Sequence, residues 1–157
     1  MNPAQTRALR QLFQYQRIAA LGTLHEGEPC VSMTPYALLP EGFFVVHVSD
    51  LSSHTMDMLE SPRVSLLVVS PDTGDSPPQS LARASIQGRA EKCADGSSGL
   101  AAARDAYLGR FPQAVDLAEI PGFSFFAIRP SSIRFIAGFA QATTLTPESF
   151  ATALVQS

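Results

Sequence analysis

The sequence predicts a closed or nearly closed antiparallel β-barrel with helices plugging its ends, and three observations predict it. Short runs of β-branched and aromatic residues recur along most of the chain. Tight-turn residues, Gly27 in HEGE and the Glu41-Gly42 pair, separate the first of them. Helical periodicity is confined to the two ends of the chain and two internal stretches. At 157 residues, with 45% hydrophobic and 16% charged content, the chain has the size and make-up of one domain, residues 1–157.

The elements follow in order. Ala4, Ala8, Leu12 and Tyr15 recur at helical spacing, Leu9 and Phe13 widen the stripe, and Asn2-Pro3 is an N-cap and first-turn pair. RIAALGTL reads as a strand and PCVSMTPYALL as its hairpin partner. EGFFVVHVS follows as a third strand, so the three form a meander. A short helix runs from about Ser53 to Glu60, and Pro62 ends it. RVSLLVVS reads as a buried strand and PDTGDSPPQS as a loop. LARASIQGRAEKC is a long strand with a bend or bulge at Gly88. A helix covers Leu100 to Phe111. FSFFAIRP and SIRFIAGF form a last hairpin over PSS, and TPESFATALV is a terminal helix capped by Thr146.

Composition excludes several function classes. Net charge is −3, with arginines scattered along the chain, so no nucleic-acid partner is expected. No apolar stretch reaches the roughly 20 residues that cross a bilayer, and the polar amino end lacks the apolar core of a signal peptide. Cys30 and Cys93 form no CxxC pair. A cytoplasmic protein with no membrane partner is expected.

Candidate binding residues gather in three places. Ser49, Ser52, Ser53, His54 and Thr55 cluster where a strand gives way to a helix. A helix start offers free N–H groups and a positive dipole end, which suit an anion such as phosphate. The same residues also read as an ordinary cap, with Asp57 complementing the dipole. In LARASIQG, alternation puts Arg83, Ser85 and Gln87 on one face. That face is ordinary solvent surface unless Arg83 meets a phosphate, which its planar fork can bind through two oxygens. In CVSMTP, Cys30, Ser32 and Thr34 share one face and Val31 and Met33 the other. Pro35 cannot donate to a ladder, so loosened pairing would free backbone groups near Ser32 to Thr34 for a planar heterocycle. His25, His47 and His54 form no HxH or HExxH pair, so no metal site is expected. Cys30 and Cys93 read as small core residues.

In sequence order, ALGTLHEGEPCVSMTPYAL, GFFVVHVSDLSSHTMDMLESPRVSLLVV, LARASIQGRAE and FSFFAIRPSSIRFIAGFAQA resemble the FMN-binding split-barrel superfamily typified by pyridoxamine 5'-phosphate oxidase. Within it they are most similar to the haem-utilisation proteins, over about residues 15 to 142. The resemblance implies a six-stranded antiparallel split β-barrel and a homodimer with two sites at the subunit interface. It places backbone groups of Ser32, Met33 and Thr34 at the isoalloxazine edge of FMN, and Val48 and Ser49 near the ring and ribityl chain. Ser53 and His54, with Ser52 beside them, would hold the phosphate. Arg83 would complete that clamp, with Ser85 next to it. The chain departs from the family pattern at named places. His54 stands where many relatives have lysine, Asp57 where asparagine is usual, and Ala140 and Gln141 where glycine and arginine are usual. The Arg-x-His signature of the pyridoxamine oxidases and tryptophan are absent. The chain stops at Ser157, without the extension associated with haem ligation, which leaves His25 or His47 as substitutes.

Three functional readings follow. The first is an FMN-binding oxidoreductase acting on a small-molecule redox substrate, with no general acid or base identified. The second is a haem-binding or haem-degrading protein on the same dimer. The third is a cofactor-free binding or regulatory dimer.

Overall fold

The computed structural model describes residues 1–155, so the chain end at Ser157 lies outside the described residues. Among the described residues there are eight strands: β1 (Ile18–His25), β2 (Glu28–Pro35), β3 (Ala37–Leu38), β4 (Phe44–Ser49), β5 (Arg63–Val69), β6 (Arg83–Lys92), β7 (Phe123–Ile136) and β8 (Ala142–Leu145). Five helices accompany them: α1 (Pro3–Tyr15), α2 (Ser53–Glu60), α3 (Ser98–Arg110), α4 (Val115–Ala118) and α5 (Pro147–Val155). All strands share one sheet in the order β2-β1-β5-β6-β7-β4-β3, with β8 along β7. β2 and β3 are consecutive in the chain, joined through Tyr36, yet they stand at opposite ends of that order. The sheet must therefore curl back on itself, and the fold is a half-closed antiparallel barrel.

Local chemistry accounts for the elements, including those that depart from expectation. α1 has a full capping box, Asn2 Oδ1 accepting from the Gln5 N–H and Gln5 Oε1 from the Asn2 N–H. Its buried stripe is Leu9, Leu12 and Phe13, whereas Ala4 and Tyr15 are exposed. Glu26 (φ 51°) and Gly27 (φ 82°) turn the β1–β2 hairpin, both in the left-handed region that such two-residue turns need. The expected three-strand meander is broken in its middle strand: PCVSMTPYALL divides at Tyr36 into β2, which pairs with β1, and β3, which pairs with β4. β4 pairs with β3 and β7, because the break at Tyr36 lets the chain cross to the far edge. The expected last hairpin over PSS is instead one continuous β7. The partner numbering shifts between Gln87 and Gly88, so Ser131 becomes the extra residue and its Oγ donates to the Gln87 carbonyl. That bulge accommodates Pro130, which has no N–H to give. Gly88 is required there, because a Cβ would lie 2.6 Å from the Arg129 carbonyl oxygen. The short β3 and β8 bring the count to eight strands rather than six.

The core fills the barrel and the space under α1 and α5. Phe13 makes edge contacts with Phe44 (5.7 Å) and Phe150 (5.3 Å), and all three are buried. Arg110 Nη2 donates to the Phe13 and Gln16 carbonyls, so α3 supplies the cap that the end of α1 lacks. α3 covers a second cluster built from Val45, Ala103, Tyr107, Phe111 and Phe125. Among the described residues no helix is long and apolar enough to cross a membrane.

Candidate functional site

β5 alternates strictly between buried and exposed residues and is not buried on both faces as its composition suggests. The outward face it creates is unusual. Cross-strand register aligns Met33, Ala20, Leu67 and Ser85 in one row and Val31, Gly22, Ser65 and Gln87 in the next. On that face Val31 is 73% exposed and Met33 60%, with Ile18, Leu67 and Val69 also open. Scattered exposed apolar residues are ordinary, but a contiguous patch marks an interaction surface. A groove of about 620 Å³ is sunk into the same face, lined by Leu24, Pro29, Val31, Arg63, Gln87 and Arg89. Apolar walls flanked by two guanidinium groups suit a flat apolar molecule that carries negative charge. Met33 lies on this face. Cys30 lines the groove and is exposed, not a core residue, because the edge strand that carries it is covered on one side only.

The helix start forms a second part of the site. Ser52 occupies the N-cap position of α2, but its side chain makes no capping bond. Its carbonyl accepts from the Thr55 and Met56 N–H groups, while those of Ser53 and His54 have no partner among the described residues. Thr55 is buried and donates to the Ser49 carbonyl at 2.6 Å, so its hydroxyl is spent inside. Ser49 Oγ accepts from the Leu51 N–H. His54 is half-buried, and burial holds its ring below the ordinary histidine pKa. Val48 is core. β2 is an edge strand, yet its register with β1 runs unbroken to Pro35, so pairing does not loosen there as expected. Ser32 Oγ is buried without a partner, and Thr34 Oγ1 is satisfied by the Pro35 carbonyl.

Arg83 and Ser85 are not beside that helix start within one chain. α2 leads into β5 where the Ala90 N–H of β6 binds the Pro62 carbonyl. Arg83 is at the other end of β6, roughly 20 Å along the strand. Its Nη1 donates to the Gln79 and Leu81 carbonyls. Ser85 is exposed between Leu67 and Arg134.

A third constellation escaped sequence reasoning. Asp57, expected to complement the helix dipole, points into the barrel end with its side chain 3% exposed. Its Oδ2 accepts from Thr23 Oγ1 at 3.0 Å, and its Oδ1 lies 2.7 Å from His25 Nδ1. The His25 hydrogen bond holds the carboxyl below the usual range, and the same bond raises the imidazole above its own. The signal in the sequence was weak: Thr23 and His25 are polar residues on the inward face of an otherwise apolar strand. Among the described residues no three His, Cys, Asp or Glu side chains group as metal ligands.

With the fold and site in view, comparison with known proteins is decisive about family. The model of the pyridoxamine 5'-phosphate oxidase family matches residues 5–137. The chain belongs to that family. Among its relatives it is 34% identical, over 120 residues, to the non-canonical heme oxygenase HOZ of Arabidopsis thaliana chloroplasts. That match covers 75% of this chain but only 35% of the relative. It is 28% identical over 138 residues to heme oxygenase HutZ of Vibrio cholerae, covering 85% of this chain and 77% of that one. The structure of a heme binding protein from Mycobacterium smegmatis superposes with a TM-score of 0.84 at 29% identity, covering 97% of this chain and 62% of the other. The chain thus spans about a third of the plant relative and under two thirds of the mycobacterial one. Members of the haem-utilisation branch are therefore among its relatives, on the same half-barrel.

Proposed function

We propose that this protein binds haem as a homodimer, with the outward face of β2, β1, β5 and β6 forming both the interface and one wall of the site. The observation that carries the reading is the groove beside Val31. Its apolar walls suit a macrocycle, and Arg63 and Arg89 suit two propionates. The names of the relatives support the same ligand. A second copy over Val31, Met33, Leu67 and Val69 would remove that apolar surface from water. Bound haem would supply an iron centre for redox or oxygen chemistry. The chain supplies apolar walls that exclude water and guanidinium groups that fix orientation. Haem titration should produce a Soret band saturating at one haem per protomer, weakened about tenfold or more by Arg63→Ala combined with Arg89→Ala. Haem that leaves the spectrum of free haem unchanged overturns the reading.

FMN is the second reading, favoured by the partnerless N–H groups of Ser53 and His54 and by the orphaned Ser32 Oγ. Quenching of flavin fluorescence on mixing, with no response to haem, would establish it. A protein that takes up neither would be a cofactor-free dimer.

A further inference from the structure

We infer that the site selects its ligand by a pair of carboxylates laid across a row of three arginines, Arg63, Arg89 and Arg129, and not by its iron, so that a metal-free dicarboxylic tetrapyrrole is held as firmly as haem. The inference rests on the haem reading above. Cross-strand register puts Arg63 of β5 opposite Arg89 of β6, and Arg89 opposite Arg129 of β7. Directly opposed residues point to one face of a sheet. The three guanidinium groups therefore follow one another across the outward face, one strand spacing of about 5 Å at each step. All three residues are exposed. Among the described residues none of them makes an ion pair; the pairs found there are His25–Asp57 and Arg104–Glu119. Like charges set directly opposite one another destabilise a sheet, so three in a row point to a ligand with more than one negative group.

Arg89 is shared between two clefts. With Arg63 it lines the apolar groove of about 620 Å³, and with Arg129, Phe43 and Glu91 a second cleft of about 410 Å³. The Arg129 guanidinium rests over the Phe43 ring, 5.8 Å from its centroid, which holds it at the end of the row. A flat macrocycle on the apolar wall beside Val31 can turn its acidic edge to this row, where each carboxylate can accept two N–H groups from one guanidinium. Nothing comparable addresses the iron. Protein ligands to haem iron are imidazole, thiolate, thioether or phenolate groups. The outward side chains that line the groove, such as Val31, Arg63, Ser65, Gln87 and Arg89, include none of these. Cys30 lies opposite Thr23, and the Thr23 hydroxyl donates to Asp57 inside the barrel end, so the thiol belongs to the inward face. His25 shares that inward face through Asp57, and His47 stacks between Phe123 and Phe125. Neither takes the place of a terminal haem ligand, as the sequence allowed. His54 sits at the start of α2. Met33 is outward but stands two rows from the arginines and outside the groove's lining. Recognition by this face is left to shape and charge, which haem and its metal-free porphyrin share.

The test titrates the purified full chain with three probes: haem, metal-free protoporphyrin IX and the dimethyl ester of that porphyrin. Haem, followed by its Soret band, and protoporphyrin, followed by its fluorescence, should have dissociation constants within about tenfold of each other. The ester keeps the ring but not the charges and should bind at least about tenfold more weakly than the free acid. Arg129→Ala should weaken both free acids about threefold or more at unchanged circular dichroism, whereas Arg7→Ala, on the exposed surface of α1, should not. Haem held more than about tenfold tighter than protoporphyrin would mean an iron ligand donated by the second copy, and overturns the inference while haem binding stands. An ester as tight as the acid overturns it too, as does Arg129→Ala that binds like the wild type or Arg7→Ala that weakens binding equally. A chain that takes up neither haem nor porphyrin overturns the haem reading as well.

Discussion

The two faces of the same sheet obey opposite rules. Inward, Leu21, Leu66, Val68, Ala84 and Ile86 are sealed beneath α1 and α5. Outward, equally apolar residues stand open to water on strands of the same composition. The inner face is a finished core; the outer face resembles half of an interface. The apolar pattern of a strand therefore reports how much surface must be covered, not whether this chain alone covers it.

The largest expected effect breaks the inner face. Phe44→Ala removes the ring that meets Phe13, Tyr36 and Phe150 and should cost about 3–5 kcal/mol in urea unfolding. A loss under about 1 kcal/mol would mean this aromatic cluster is not the barrel's anchor. Next comes a matched pair of glycines. Gly88→Ala drives a methyl group into the Arg129 backbone and should cost about 1–3 kcal/mol. Gly22→Ala, on the outer face, meets only the Ser65 hydroxyl, which can swing away. Its cost should stay below about 1 kcal/mol, measured by the same unfolding curves. Leu67→Lys on the outer face should change the intrinsic stability of the protomer by no more than about 0.5 kcal/mol. Sedimentation should nevertheless shift from dimer to monomer, and an unaltered dimer would remove this face from the interface.

The smallest effect concerns pH. Burial, with Arg104 nearby, holds His47 below its ordinary pKa, so the unfolded chain binds the proton more readily than the folded one. That contribution favours folding above the unfolded pKa and is lost as pH falls from about 6.5 through the folded value. Unfolding curves between about pH 7.5 and pH 5 should therefore differ in slope between the wild type and His47→Leu, with the variant less acid-sensitive. Identical slopes would mean the ring is solvated in the folded protein.

Much of the fold was legible because its signals are local. The Asn2-Pro3 start, the Ser53–Glu60 helix, the Gly27 turn and the Thr146 cap each depend on neighbours within a few residues. The errors fell where pairing is non-local. Pro130 reads locally as a turn but sits in a bulge against Gly88, and PCVSMTPYALL reads as one strand but divides at Tyr36 between the two ends of the sheet. The site divides the same way. The hydroxyl cluster at Ser52 and Ser53 was readable as a helix start. His25 and Asp57 are 32 residues apart, and nothing local joins them.

By itself the sequence determined the strands, their turns and the family pattern they carry, because alternation, capping and turn geometry act over a few bonds. Only the tertiary structure decided which apolar residues remain uncovered, that Arg83 stands far from the α2 start in its own chain, and that Asp57 turns inward to His25. Those outcomes depend on strand register and barrel closure. A shift of one residue reverses every side chain, and no short stretch of sequence encodes that choice.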